Sequence, residues 1–137
     1  MIEIPNLKNI LNEIMKKQRS LIVTLPSTTK WNEYEKEIRK AANYKYVLNF
    51  KVHNFPTGVH VGDKCYIVHN GYIKGWMEIV GFSEKSFNCS TTNKKWEGKF
   101  IERSGPFHYM QEKIPYKGFQ GFRYFDLKEY KLQNGIK

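Results

Sequence analysis

The pair Asn70-Gly71, set between KCYIVH and YIKGWMEIVGF, constrains this chain more than any other feature. Both residues tolerate positive φ, and a two-residue hairpin turn needs that at its two central positions. The flanking runs carry β-branched and aromatic residues in near-alternation, the pattern of paired strands. A hairpin of residues 64–69 and 72–82 is therefore expected. Further short runs of the same kind lie at 46–52, 86–91, 95–102 and 122–127, separated by turn-forming PTG, VGD and TTNK segments.

Helical spacing precedes these strands. Leu7, Ile10, Leu11, Ile14 and Met15 fall on one stripe after Asn6, a residue suited to N-capping, and the opposite face carries Lys8, Lys16, Lys17 and Arg19. Residues 21–25 form an apolar run closed by Pro26 and read as a buried strand. Ser27 to Thr29 then offer N-caps for a second helix, on which Trp31, Tyr34, Ile38 and Ala41 recur with helical spacing. After Trp96 the pattern loosens, and Gly105-Pro106 and Ile114-Pro115 are expected to break any strand and leave a functional loop. The sum is an α+β domain, a small mixed or antiparallel pseudo-barrel of about six strands with flanking helices. Its expected limits are an N-terminal amphipathic helical extension at 1–20, the domain at 21–128 and a C-terminal tail at 129–137 that frays from Gln133 onward.

With 137 residues the chain has room for about one domain. Its 23 Lys plus Arg against 13 Asp plus Glu give a net charge of +10, a field that draws phosphate backbones. No apolar run approaches the roughly twenty residues of a membrane-spanning helix, and no secretory leader pattern is present, so a cytoplasmic protein without membrane association is expected. Cys65 and Cys89 lie in strand-like segments without CxxC or ligand-spaced histidines, and read as buried thiols. Neither a metal site nor a cofactor is expected.

The segment FPTGVHVGDKCYIVHNGYIKGWMEIVGF, residues 55–82, resembles the PUA-like superfamily, in particular its ASCH and EVE branches. There a VGD turn precedes a barrel strand, and a later strand carries a glycine before an apolar run. Gly62-Asp63, and Gly75 ahead of Met77, Ile79 and Val80, stand in those places. The resemblance extends over roughly residues 21–126 and implies a pseudo-barrel that binds RNA or DNA and takes a single, sometimes modified, base into a pocket. One ASCH group hydrolyses an acetylated cytidine with a lysine, a threonine and a glutamate. Lys51, Thr24 and Glu78 are residues of those types here, but no segment reproduces that group's pairing of lysine and threonine.

A base-binding site needs flat faces for stacking, groups that read a base edge, and cations for the phosphates. Trp31, Trp76, Trp96, Tyr72, Phe107, Phe119 and Tyr124 are the stacking candidates, although most aromatics serve a core. Alternation along 72–79 would set Ile73, Met77 and Ile79 toward the core and Tyr72, Lys74, Trp76 and Glu78 on the opposite side. In KGFQGFRYF, Gly118 and Gly121 bracket a turn that presents Phe119 and Gln120, while Arg123 and Phe125 share one face of the strand that follows. The expected site is therefore Trp76 and Phe119 for stacking, Gln120 and Glu78 for the base edge, and Arg103, Lys117 and Arg123 for phosphate. His108 stands near Arg103 and Ser104 in the same segment. Two other readings remain open: an ASCH-like nucleoside amidohydrolase, and a phage or mobile-element module that binds a host nuclease through the N-terminal helix.

Overall fold

In the computed structural model, which describes residues 19–88 and 93–136, Asn70 and Gly71 take φ of 50° and 82°. His69 pairs directly with Tyr72 across them, so the expected two-residue turn forms. The described elements run β1 (Ser20–Thr24), α1 (Trp31–Tyr44), β2 (Leu48–Val52), β3 (Lys64–His69), β4 (Tyr72–Asn88), β5 (Lys95–Pro115), β6 (Phe122–Phe125) and α2 (Leu127–Gln133). The strands make one curled half-barrel sheet in the order β2-β5-β4-β3-β1-β6, and with the two helices give a mixed α+β fold. Among the described strands, β1 with β3 is the one parallel pairing. The expected N-terminal helix and Cys89 lie outside the described residues.

Both faces of the sheet centre are buried. On one side Leu21, Val23, Cys65, Ile67, Met77, Ile79 and Ile101 meet Tyr34 and Ile38 of α1. On the other, Ile22, Tyr66, Val68, Ile73, Ile114 and Phe125 are covered by Tyr116, Phe119, Leu127 and Tyr130. Burial on both faces explains why SLIVT and KCYIVH read as continuous apolar runs instead of alternating ones. The α1 residues Tyr34, Ile38 and Ala41 are buried at the predicted spacing. Its N-cap is Lys30, with no capping side-chain bond, so Ser27 to Thr29 do not serve as the expected caps.

Four other expectations are corrected. The run at 72–82 and residues 86–88 of the run expected at 86–91 belong to one long strand, β4, the rest of that run lying outside the described residues, and the expected break at Gly105-Pro106 lies inside the continuous strand β5. Between the pairs Trp76–His108 and Glu78–Ser104, β5 carries two extra residues that absorb the glycine and proline as a bulge. Lys74 is likewise unmatched opposite β3, because Val68 pairs with Ile73 and Ile67 with Gly75. That bulge reverses the alternation, placing Ile73 with Val68 and Ile114 and leaving Met77 and Ile79 on the α1 side. Finally, residues 129–136, expected as a C-terminal tail outside the domain, continue the helix α2 and its end, and pack Tyr130 and Ile136 against the second core.

Candidate functional site

Strand register sets a transverse row of side chains on the α2 face. His108 pairs with Trp76, Trp76 with Tyr66, Tyr66 with Ile22, and Ile22 with Arg123, in a line across β5, β4, β3, β1 and β6. Directly opposed residues project to the same side of a sheet. Three candidates separated widely in sequence therefore share one face.

At the β4 end of the row, Trp76 is half-buried. The His108 ring stacks on it at 3.9 Å and 13°, and the Lys64 ammonium lies 4.6 Å from its centroid. These neighbours come from the strands on either side, so both faces of the indole are engaged. Glu78 is exposed and pairs across the strands with Lys64. The VGD turn sits directly below: Asp63 Oδ2 accepts the His60 N–H at 2.8 Å, and the Gly62 N–H donates to the Ile79 carbonyl at 2.8 Å. That clamp fixes where β3 begins and hence where Lys64 stands.

At the β6 end, the Arg123 guanidinium lies 4.2 Å from the Phe119 centroid. Phe119 is half-buried; its N–H donates to Thr24 Oγ1 at 3.1 Å and its ring packs edge-on against Tyr116 at 5.7 Å. Gln120 and Lys117 beside it are exposed. Phe122 faces the α1 side, and Arg123 and Phe125 face α2, as the alternation predicts. With strands about 4.8 Å apart, three spacings separate Trp76 from Arg123, or roughly 14 Å. The two groups occupy the two flanks of one face and do not line a single pocket.

Arg103 does not join them. It projects to the opposite side, into the first core, with 3% of its surface exposed. Its guanidinium lies 5.6 Å from the Phe50 centroid and hydrogen-bonds the Tyr34 hydroxyl and the Cys65 thiol, while its Nε has no partner. A side chain enclosed in this way cannot reach a phosphate in solvent. The loop in which it was expected is strand, and strand alternation turned it inward. Thr24, Lys51 and Glu78 are also dispersed. Thr24 stands opposite Val68, four residues or roughly 13 Å along β3 from the Lys64–Glu78 pair, and Lys51 lies on β2 beyond β5. They form no triad.

Beside this face stand Arg19, Lys64 and Lys128, which sequence reasoning did not select, and the stacking candidate Tyr124. A groove of about 930 Å³ runs beside the row between β3, the end of β6 and α2, lined by Arg19, Lys64, Tyr66, Tyr124, Lys128 and Glu129 among others. Tyr124 receives the Thr57 N–H at 2.8 Å and has the Arg19 guanidinium 4.5 Å from its ring centroid. Burial raises its pKa, but the Thr57 bonds and Arg19 outweigh that, and the net shift is downward. A lysine directly after VGD was the available sequence signal for Lys64. Lys128 had none, since its position depends on α2 folding back. Among the described residues no group of three or more His, Cys, Asp or Glu side chains is placed to hold a metal ion, and no helix is long and apolar enough to cross a membrane.

No family model, curated protein or solved structure matches this chain. The reading of the site therefore rests on its own geometry.

Proposed function

We propose that this chain is a nucleic-acid-binding domain of PUA-like fold that receives an unpaired or flipped base, in RNA or DNA, on the α2 face of its sheet. The observation that carries the reading is the row from His108 through Trp76 and Tyr66 to Arg123, which aligns stacking surfaces and cations on one side. Magnitudes favour exchange at Trp76. The cation–π contact of the exposed Lys64 is worth ~0.5–1 kcal/mol, whereas a base stacked on an aromatic ring is worth ~1–3 kcal/mol. An incoming base can displace the ammonium, which then becomes available to its phosphate. Glu78 accepts from an exocyclic amino group at the base edge. Arg19 and Lys128 flank the groove, and Gln120 and Arg123 meet the continuing strand at the far flank. Here Phe119 supports Arg123, and Arg103 has no part in phosphate contact.

The test is equilibrium binding of oligonucleotides, single-stranded and duplex, over a series of salt concentrations. Log affinity should fall with log salt, with a slope of about −0.7 per neutralised phosphate on single strands or about −0.9 on duplex. Trp76→Leu should weaken single-strand binding by ~1–3 kcal/mol with little change in that slope, whereas Lys64→Ala with Lys128→Ala should reduce the slope. Absence of binding to either form at low salt would overturn the reading.

A further inference from the structure

A second concavity lies between the Asn70-Gly71 turn, the end of β5 and the C-terminal end of α2. It has a volume of about 380 Å³ and is lined by Gly71, Pro115, Tyr116, Lys117, Tyr130 and Asn134 together with Ile136. That is near the lower bound of ligand pockets, roughly 300–1,000 Å³, and suits one nucleoside better than a folded polymer. Its frame is built from groups that hold one another. The Tyr116 N–H donates to the Gly71 carbonyl at 2.9 Å, the Tyr130 hydroxyl donates to the Pro115 carbonyl, and Asn134 Nδ2 donates to the Tyr130 carbonyl at 2.8 Å. The Tyr116 and Tyr130 rings lie 5.1 Å apart, tilted at 44°. No atom stands within 4 Å of where a Cβ at Gly71 would lie, so the turn leaves the mouth open.

The chemistry of the lining is specific in kind. Two phenol rings offer flat surfaces, the Asn134 side chain offers an amide, and the exposed Lys117 offers a cation at the rim. We propose that this cleft binds a single nucleotide, with its base against Tyr116 and Tyr130 and its phosphate on Lys117. The nucleotide is either free or the terminal residue of a strand; the recognised chemistry is the same. The site is distinct from the groove beside Trp76 and does not depend on it.

The test is a titration of the full chain with adenosine and cytidine 5′-monophosphates and the matching nucleosides, followed by backbone amide NMR. Saturable shifts at Gly71, Tyr116, Lys117 and Asn134 are expected. Lys117→Ala should weaken the monophosphates by about tenfold and the nucleosides little, since one charge-assisted contact to phosphate is lost. Tyr116→Leu should weaken both, and because Tyr116 also packs in the second core, the exposed Lys117 variant carries the decision if that protein fails to fold. Linear against circular oligonucleotides distinguishes the two sources. Preference for linear strands, removed by Lys117→Ala, identifies a strand end, and monophosphates that bind as tightly as linear strands identify a free nucleotide. Shifts confined to Lys64, Tyr66 and Lys128, or no saturable shift in this cleft, would overturn the proposal. Monophosphate binding here without any oligonucleotide binding would instead overturn the function proposed above and leave this site standing.

Discussion

At the scale of single residues, close contact decides more than side-chain type. A Cβ placed on Gly75 would lie 2.1 Å from the His108 carbonyl oxygen and 2.5 Å from the Phe107 ring, inside the bulged β4–β5 pairing. Backbone cannot yield as a flexible side chain can. Gly75→Ala is therefore expected to destabilise the fold by ~1–3 kcal/mol through overpacking, read as a lower urea midpoint; an unchanged midpoint would show that the strands are not so closely apposed. Arg103 gives the opposite case. A buried cation without a carboxylate partner carries a desolvation cost that a hydrophobic residue of similar length avoids. Arg103→Met should match or exceed the parent in stability, Arg103→Ala should lose about 3 kcal/mol or more to the cavity, and neither should alter the salt dependence of oligonucleotide binding. A reduced slope in Arg103→Met would restore a phosphate role to this residue.

At the scale of elements, α2 covers a second core whose buried residues come from the strands. Tyr130 packs against Tyr116 at 5.1 Å and Phe125 at 5.6 Å, and its hydroxyl reaches the Pro115 carbonyl. Asp126 caps the helix by accepting the Glu129 N–H at 3.0 Å, and the Lys131 ammonium pairs with Glu112 on β5. A seven-residue helix is too short to persist alone, so its stability comes from this packing. Tyr130→Ala should cost ~1–3 kcal/mol and expose the Tyr116 and Phe125 rings, detected as a lower Tm with increased binding of a hydrophobic dye. A small change in both would mean that α2 is an accessory to the sheet. The helix was hidden in the sequence because LKEYKLQ has too few apolar positions to show a stripe. The β4–β5 hairpin was concealed differently, since glycine and proline mark a break wherever no partner strand is there to absorb a bulge.

At the scale of the whole molecule, buried protons couple the first core to pH. Burial raises the Cys65 thiol above its ordinary 9.0 and the Tyr34 hydroxyl above its ordinary 10.0, with Arg103 opposing both shifts but not cancelling them. The folded state then holds these protons more tightly than the unfolded chain. Their contribution is fully present below about pH 9 and is lost as pH rises through the unfolded values toward the folded ones. Urea midpoints should fall as pH rises above about 9, and less steeply in Cys65→Ala; an identical fall in that variant would remove the thiol from the account. The same whole-molecule view accounts for what was legible beforehand. The sequence by itself determined the Asn70-Gly71 turn, the residues of β3 and the places of β1 and β6 to within two residues, the buried stripe of α1 and the α+β class. Each depends on φ tolerance or on periodicity among near neighbours. Only the tertiary structure decided that Ile73 and Ile79 face opposite sides, that Arg103 is enclosed, that the chain's end covers the sheet, and that Trp76 and Arg123 share a face while lying three strands apart. Those outcomes depend on bulges, register and burial, which arise only when distant strands pair.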